Sequence, residues 1–252
     1  MDELLKASKK AVIVANGPSL KDVPNEWLAK YTTFASNRVF LKEGFQPDYL
    51  AVFDIKMVYV CKLVNDILPS AHAAKHVYFS EDSWQYVEPV MGKKWNNVSI
   101  LHWRNFQDDD GRILPIFSTN PLEAIVSGGT VTYGLMQLAA WKGYTELLCV
   151  GLDHSFTGPR GDHFSEEYNA PVKIPYERDY PTDIDGMLTL KEEFGTWIFS
   201  ERHYQAKTEG FYKVAAAYYE NMGGSIYNLT PESKLDVFPI MSIEEYEKRH
   251  GK

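Results

Sequence analysis

Apolar positions along this chain gather in short, nearly continuous runs, each closed by small polar residues. Residues 11–15 (AVIVA), Thr32–Ser36 (TTFAS), Tyr49–Phe53 (YLAVF, ending at Asp54), His76–Ser80 (HVYFS), residues 98–103 (VSILHW), residues 146–153 (ELLCVGLD) and residues 225–230 (SIYNLT) each read as a strand. Helical spacing fills several intervals between them. It predicts a helical turn from Trp27, a helix within residues 57–68, and a helix opened by Gly128-Gly129-Thr130 that stops at Gly143. Another helical stretch runs from about Leu188 to Asn221 and ends before Gly223-Gly224. Strands alternating with helices predict an α/β fold: a Rossmann-like, mostly parallel sheet with helices on both faces. Residues 155–187 break the pattern. They are polar, rich in Pro, Gly and Tyr, and without periodicity, which predicts a lid or binding loop. The expected organisation is one nucleotide-binding α/β domain over 1–252 carrying that lid.

Composition narrows the classes. The chain has 252 residues, 44% hydrophobic and 24% charged, which suits a globular protein with a sizeable core. A net charge of −8 without a Lys/Arg cluster argues against a nucleic-acid duplex as partner. A nucleotide is still compatible, because backbone N–H groups hold phosphate without net positive charge. No apolar run approaches the roughly 20 residues that span a bilayer. Cys61 and Cys149 have no metal-ligand spacing and read as core thiols of a reducing compartment. The expected location is cytoplasmic, with attachment to the inner membrane surface left open, as is a homo-oligomer.

Ligands of open α/β sheets bind outside the carboxyl ends of the strands. The residues there are Asn16-Gly17-Pro18-Ser19, then Ser36-Asn37-Arg38, Asp54, and Gly151 with Asp153-His154-Ser155; Asn228, Thr230 and Ser233 follow the last strand. The first group admits two readings. One is a strand-to-helix turn capped by Ser19. The other is a phosphate cradle, with Gly17 allowing close approach, Pro18 stiffening the turn and Ser19 adding a hydroxyl. Ser127-Gly128-Gly129-Thr130 is likewise either an anion contact or an N-cap with glycines for close packing. Neither is a Walker loop or a G-x-G-x-x-G turn. His154, His163 and His203 are the candidate bases; His72, His76 and His102 read as structural. Asp108 to Asp110 read as a solvated loop. Tyr168, Tyr176, Tyr180, Tyr204 and Tyr212 lie in or after the lid and suit sugar, base or phosphate contact.

Four blocks, in order, together resemble a known family. "VIVANGPSLKDV" followed by "FASNRVF", then "VSGGTVTYGLMQLAAWKGYTELLCVGLDHSF" and "GGSIYNLTPESKLDVF", are similar to the bacterial CMP-sialic acid-dependent sialyltransferases. A wider related family is also similar; it includes polysaccharide-associated and flagellin-glycosylation proteins and archaeal 6-hydroxymethylpterin diphosphokinase. The resemblance implies that Asn16, Gly17 and Ser19 sit at the donor's phosphate and ribose, and Asn37 near the reacting centre. It further implies that Ser127 and Gly128 contact the donor, and that Asp153, His154 and Phe156 border the nucleotide. A histidine near the post-lid helix acts as base in that family, and lid tyrosines help the phosphate leave. His203 falls near that place, about one helical turn out of register.

The expected function is therefore a nucleotide-dependent transferase: a glycosyltransferase moving a sugar from a nucleotide-activated, CMP-linked donor to a small-molecule or glycan hydroxyl, with no metal required. Two rivals stand beside it. A pterin-type diphosphokinase using Mg-ATP would need carboxylates for Mg²⁺, for which Asp54 and Asp153 are the candidates. A non-catalytic nucleotide-binding protein would keep the fold without the chemistry.

Overall fold

The computed structural model describes residues 9–54, 58, 64–91, 95–155, 163–165 and 201–250. The lid expected at 155–187 falls almost wholly outside these, as do Cys61, Phe156, Tyr168, Tyr176 and Tyr180.

An unbroken apolar run can only be satisfied if both of its faces are covered. Strand β1 (Lys10–Val14) shows this: Ala11 and Ile13 enter one hydrophobic core, Val12 and Val14 another. The same division holds for β8 (Glu146–Val150), with Leu147 and Cys149 on one side and Leu148 and Val150 on the other. Between them in sequence come β2 (Thr32–Ser36), β3 (Tyr49–Val52), β4 (His76–Ser80), β5 (Val98–Leu101) and the short pair β6 (Trp103–Arg104) and β7 (Ile125–Val126). Strand β9 (Ser225–Asn228) comes last. Seven of these form one sheet in the order β5-β4-β3-β2-β1-β8-β9, and every pairing is parallel. The chain is a Rossmann-like α/β fold, as the alternating pattern predicts.

Helices cover both faces. Helix α4 (Val131–Trp141) and helix α5 (Glu201–Asn221) lie on the Ile13 face, where Tyr133, Leu135, Phe211 and Tyr219 join the core. The Tyr219 hydroxyl donates to Met136 O at 3.0 Å and ties the two helices together. The Val12 face is covered by the 3-10 turn Pro18–Asp22, α1 (Asn25–Leu28), α2 (Val64–Ala73), α3 (Glu81–Met91) and α6 (Ile243–His250), through Leu20, Trp27, Ile67, Val87 and Tyr246.

Helices α3 and α6 are absent from the sequence expectation. Both start from local polar signals. Ser80 Oγ accepts from Ser83 N at 3.1 Å as β4 turns directly into α3. Ser242 and Glu245 form a capping box: Glu245 N donates to Ser242 Oγ at 3.1 Å, and Ser242 N donates to Glu245 Oε2 at 3.0 Å. Helix α6 is then fastened under the sheet. Tyr246 bonds the half-buried end of Lys10 and the Glu146 carboxylate, and Glu247 accepts from Trp27 Nε1 at 2.8 Å and the Tyr31 hydroxyl at 2.9 Å. Asp108 Oδ1 accepts from the amides of Asp110 and Arg112, so the aspartate run is an exposed, self-capped loop. No described helix is long and apolar enough to cross a membrane.

Strand order places the site. The chain steps outward from β1 to β5, then returns to set β8 on the other flank of β1. Connections leave in opposite directions there, which opens a crevice between the carboxyl ends of β1 and β8.

Candidate functional site

A cleft of about 370 Å³ occupies that crevice, within the range of small-molecule sites. Its floor comes from Ala15-Asn16-Gly17 after β1, Ser36-Asn37 after β2 and residues 151–155 after β8. Thr130, Val131 and Thr132 close it at the start of α4, Thr208 and Tyr212 from α5, and His163 from above.

The loop after β1 is locked to the loop after β8. Gly17 N donates to Gly151 O at 2.8 Å. Ser19 N and Ser19 Oγ both donate to the Asp153 carboxylate, at 3.1 Å and 2.8 Å. The approach is so close that a Cβ on Gly17 would overlap Asp153 Oδ2 and stand 2.5 Å from Gly151 O. Of the two readings of this turn, the one the geometry favours for Ser19 is the structural turn, while Gly17 still lines the cleft. The turn does bind an anion, but the anion is the protein's own Asp153, and Pro18 and Ser19 lie outside the cleft lining. The physical reason is the β1–β8 pairing, which brings a carboxylate to donors that the sequence leaves unassigned. Burial pushes the Asp153 carboxyl above its ordinary range, against the Ser19 hydrogen bonds.

The two asparagines behave differently. Asn16 Nδ2 donates to Ser36 O at 3.3 Å, a partner that can only accept, so the amide orientation is set. Asn16 Oδ1 is thereby left as an acceptor, buried and with no partner. Asn37 has a left-handed backbone, φ 51°, and is 9% exposed. Its amide N–H donates to Ala51 O, and its side-chain Oδ1 is likewise buried without a partner. Such an acceptor costs about 1–3 kcal/mol of desolvation unless something binds it.

At the start of α4 the structure shows the capping reading, with a glycine used for close packing. Thr130 is the N-cap, its side chain accepting from Thr132 N at 3.3 Å. Ser127 Oγ donates instead to Asn105 Oδ1 at 2.8 Å, and Gly128 packs so closely on Tyr133 that a Cβ would stand 2.6 Å from its ring. Of the four predicted residues Thr130 lines the cleft, joined by Val131 and Thr132, whereas Ser127, Gly128 and Gly129 are not in its lining.

His154 and His163 both line the cleft. His163 Nδ1 stands 3.3 Å from Asn16 O. His154 is held with φ 53°, its Nε2 3.4 Å from Glu209 Oε1. Burial lowers its pKa from the ordinary 6.5, outweighing the nearby Glu209 and Asp236 carboxylates. His203 and Tyr204 fall in the first turns of α5, and their side chains lie outside the described residues. Thr132, Thr208 and Glu209 were not foreseen. The i, i+4 spacing of Thr208 and Tyr212 is the signal that points to α5.

Asp54 and Asp153 do not form a Mg²⁺ site. They follow β3 and β8, which are three strand spacings apart, roughly 14 Å, rather than neighbours. Asp153 is moreover engaged by Ser19. Among the described residues no group of three or more His, Cys, Asp or Glu side chains is placed to hold a metal ion.

The overall fold is shared with the MAf glycosyltransferase of Magnetospirillum magneticum AMB-1, at TM-score 0.54 and 16% identity over 93% of this chain. This chain spans 34% of the length of that protein. The sialyltransferase CstII of Campylobacter jejuni, in complex with a substrate analogue, aligns over 93% of this chain and 86% of its own at TM-score 0.43 and 12% identity. No curated protein sequence matches the chain. Residues 1–159, well over half the chain, match the family model described as 6-hydroxymethylpterin diphosphokinase MptE-like. The chain, with Asn16, Asn37 and Asp153 at its switch point, belongs to the MptE-like family.

Proposed function

We propose that the chain is a nucleotide-dependent transferase which moves a sugar from a nucleotide-activated donor onto a hydroxyl acceptor in the switch-point cleft. The observation that carries this reading is Asn37: a buried, left-handed residue whose side-chain oxygen has no partner, in the same cleft lining as Asn16, whose Oδ1 is equally unpartnered. Strain and an unsatisfied acceptor at one position mark a functional site rather than a packing solution. Both oxygens accept, so they suit ribose or sugar hydroxyls and an exocyclic amine. They do not suit phosphate oxygens, which also only accept. A phosphate fits better at the Thr130–Thr132 end, where the start of the eleven-residue α4 lines the cleft and the helix dipole favours negative charge.

His154 is the base in this scheme. It is in the cleft, and its burial keeps the imidazole neutral near pH 7 and ready to take a proton. The acceptor oxygen attacks the transferred carbon while its proton passes to the imidazole. The carbon–oxygen bond to the nucleotide phosphate breaks, and its electron pair leaves on the phosphate. Tyr204 and the lid tyrosines Tyr168, Tyr176 and Tyr180 are proposed to reach that phosphate, with Phe156 bordering the nucleotide. The preference for a CMP-linked donor rests on the motif resemblance, and the MAf fold supports sugar transfer. The family description favours a second reading, diphosphoryl transfer from Mg-ATP, for which metal ligands other than the Asp54 and Asp153 pair are required.

The test is a thermal-shift panel of CMP, CDP, UDP, GDP and ATP, each with and without Mg²⁺. CMP at about a hundred times its Kd adds about 2.7 kcal/mol, a rise of roughly 5–10 °C, with or without metal. A shift with Mg-ATP alone transfers the case to the diphosphokinase. No shift with any nucleotide refutes both. Binding without donor turnover leaves a non-catalytic nucleotide-binding protein.

A further inference from the structure

His154 is gripped by one face of α5. Glu209 Oε1 lies 3.4 Å from its Nε2, and the Tyr212 ring, three residues on, meets the imidazole nearly edge-on at 6.2 Å and 72°. The imidazole is 3% exposed, whereas Glu209 is 32% exposed and keeps a solvated side. A carboxylate beside a buried histidine has two uses. It either forms a standing ion pair, or it orients a neutral ring and waits for the charge. Burial outweighs the carboxylate here and lowers the histidine pKa, so a standing ion pair is not the resting state near pH 7. The left-handed backbone at His154 adds to this: the chain accepts a strained turn to deliver the ring to this place.

We infer that Glu209 is a positioning residue, which orients the His154 imidazole in the cleft and stabilises the charge the ring acquires on taking the acceptor's proton. The inference rests on the transferase reading above. It also explains how α5, which follows the lid in sequence, becomes part of the chemistry: the same turn carries Thr208 to the cleft wall and Glu209 to the base. Among the described residues, the charged or titratable groups near the ring include Glu209 from α5 and Asp236 from the segment after β9, both favouring the cation, with Asp153 preceding it in its own loop and His163 also lining the cleft.

The experiment uses the whole chain with Glu209→Gln, Glu209→Asp and His154→Asn. Imidazole titration by ¹⁵N NMR is the first readout. Removing the carboxylate moves the His154 midpoint to lower pH in Glu209→Gln, and an unchanged midpoint overturns the inference whatever the activity. Turnover of a CMP-linked sugar is the second. Glu209→Gln lowers kcat at least tenfold, leaves the donor KM within about twofold, and moves the acid limb of the kcat profile to lower pH, with Glu209→Asp recovering part of the loss. A wild-type kcat in Glu209→Gln, or a change in KM alone, overturns it. Wild-type protein that binds CMP but turns over no donor refutes the transferase reading and Glu209's catalytic part in it, while the NMR midpoint still reports separately whether the pair exists.

Discussion

Gly17→Ala isolates the closure of the switch point. Gly17 has φ −71° and ψ 167°, a conformation open to alanine, so the backbone itself does not resist the change. Reduced freedom of the unfolded chain would even stabilise the variant by about 0.4–1 kcal/mol. Packing decides against it. The new Cβ overlaps Asp153 Oδ2 and lies 2.5 Å from Gly151 O, which is backbone and cannot swing aside. The loops after β1 and β8 must part. Parting them loses the Gly17 N to Gly151 O bond, worth about 1 kcal/mol, and weakens the charge-assisted bonds from Ser19 to Asp153, worth about 1.5–3 kcal/mol. After the unfolded-state gain, the net loss is about 2–3 kcal/mol, or a Tm lower by roughly 4–12 °C. Equilibrium urea unfolding followed by circular dichroism measures it. In an Asp153→Ala background the Oδ2 overlap is gone, so the same substitution costs at least about 1 kcal/mol less. A single-variant change under about 0.5 kcal/mol, or strict additivity in the double variant, refutes the account of Gly17 as a close-approach residue.

Asn37→Gly separates binding from stability. It removes the orphaned oxygen and relaxes the left-handed backbone, so stability holds or rises by up to about 1 kcal/mol, while CMP affinity measured calorimetrically falls at least tenfold; a stability loss above about 1 kcal/mol contradicts this. Gly210→Ala, in the middle of α5 with open space around the added Cβ, stabilises the protein by about 0.5–1 kcal/mol in urea unfolding, and destabilisation would show a contact that the structure lacks. The folded-state pKa of His154 lies below its ordinary 6.5, so the unfolded chain binds more protons in between and stability rises with pH across that window. The stability this histidine contributes is complete above its ordinary pKa and is lost as pH falls through the folded value. Comparing wild type with His154→Asn between about pH 7.5 and about pH 5 cancels the opposite trend of Asp153, whose raised pKa favours the folded state at low pH. The wild type loses more stability than the variant on acidification, and parallel curves would sink the assignment.

The strands and the residues at their ends were legible because their signals are local. A run such as AVIV declares a strand buried on both faces, and NGPS after it declares the break. The caps of α3 and α6 are equally local, Ser80 before Ser83 and Ser242 before Glu245, and could have been read from sequence. The fate of Ser19 could not. A strand paired on both edges and covered on both faces carries no mark of which strand is its neighbour, because parallel pairing is made by backbone groups common to all residues. The order β3-β2-β1-β8 is thus a tertiary outcome, and it brings Asp153 to Ser19 while holding Asp54 three strands away. Glu209 shows the same limit over more than fifty positions of chain: only the docking of α5 onto the sheet sets it against His154. The sequence by itself determined which side chains stand at the edge of the sheet; the packing of strands and helices decided which of them face the cleft and which are spent on one another.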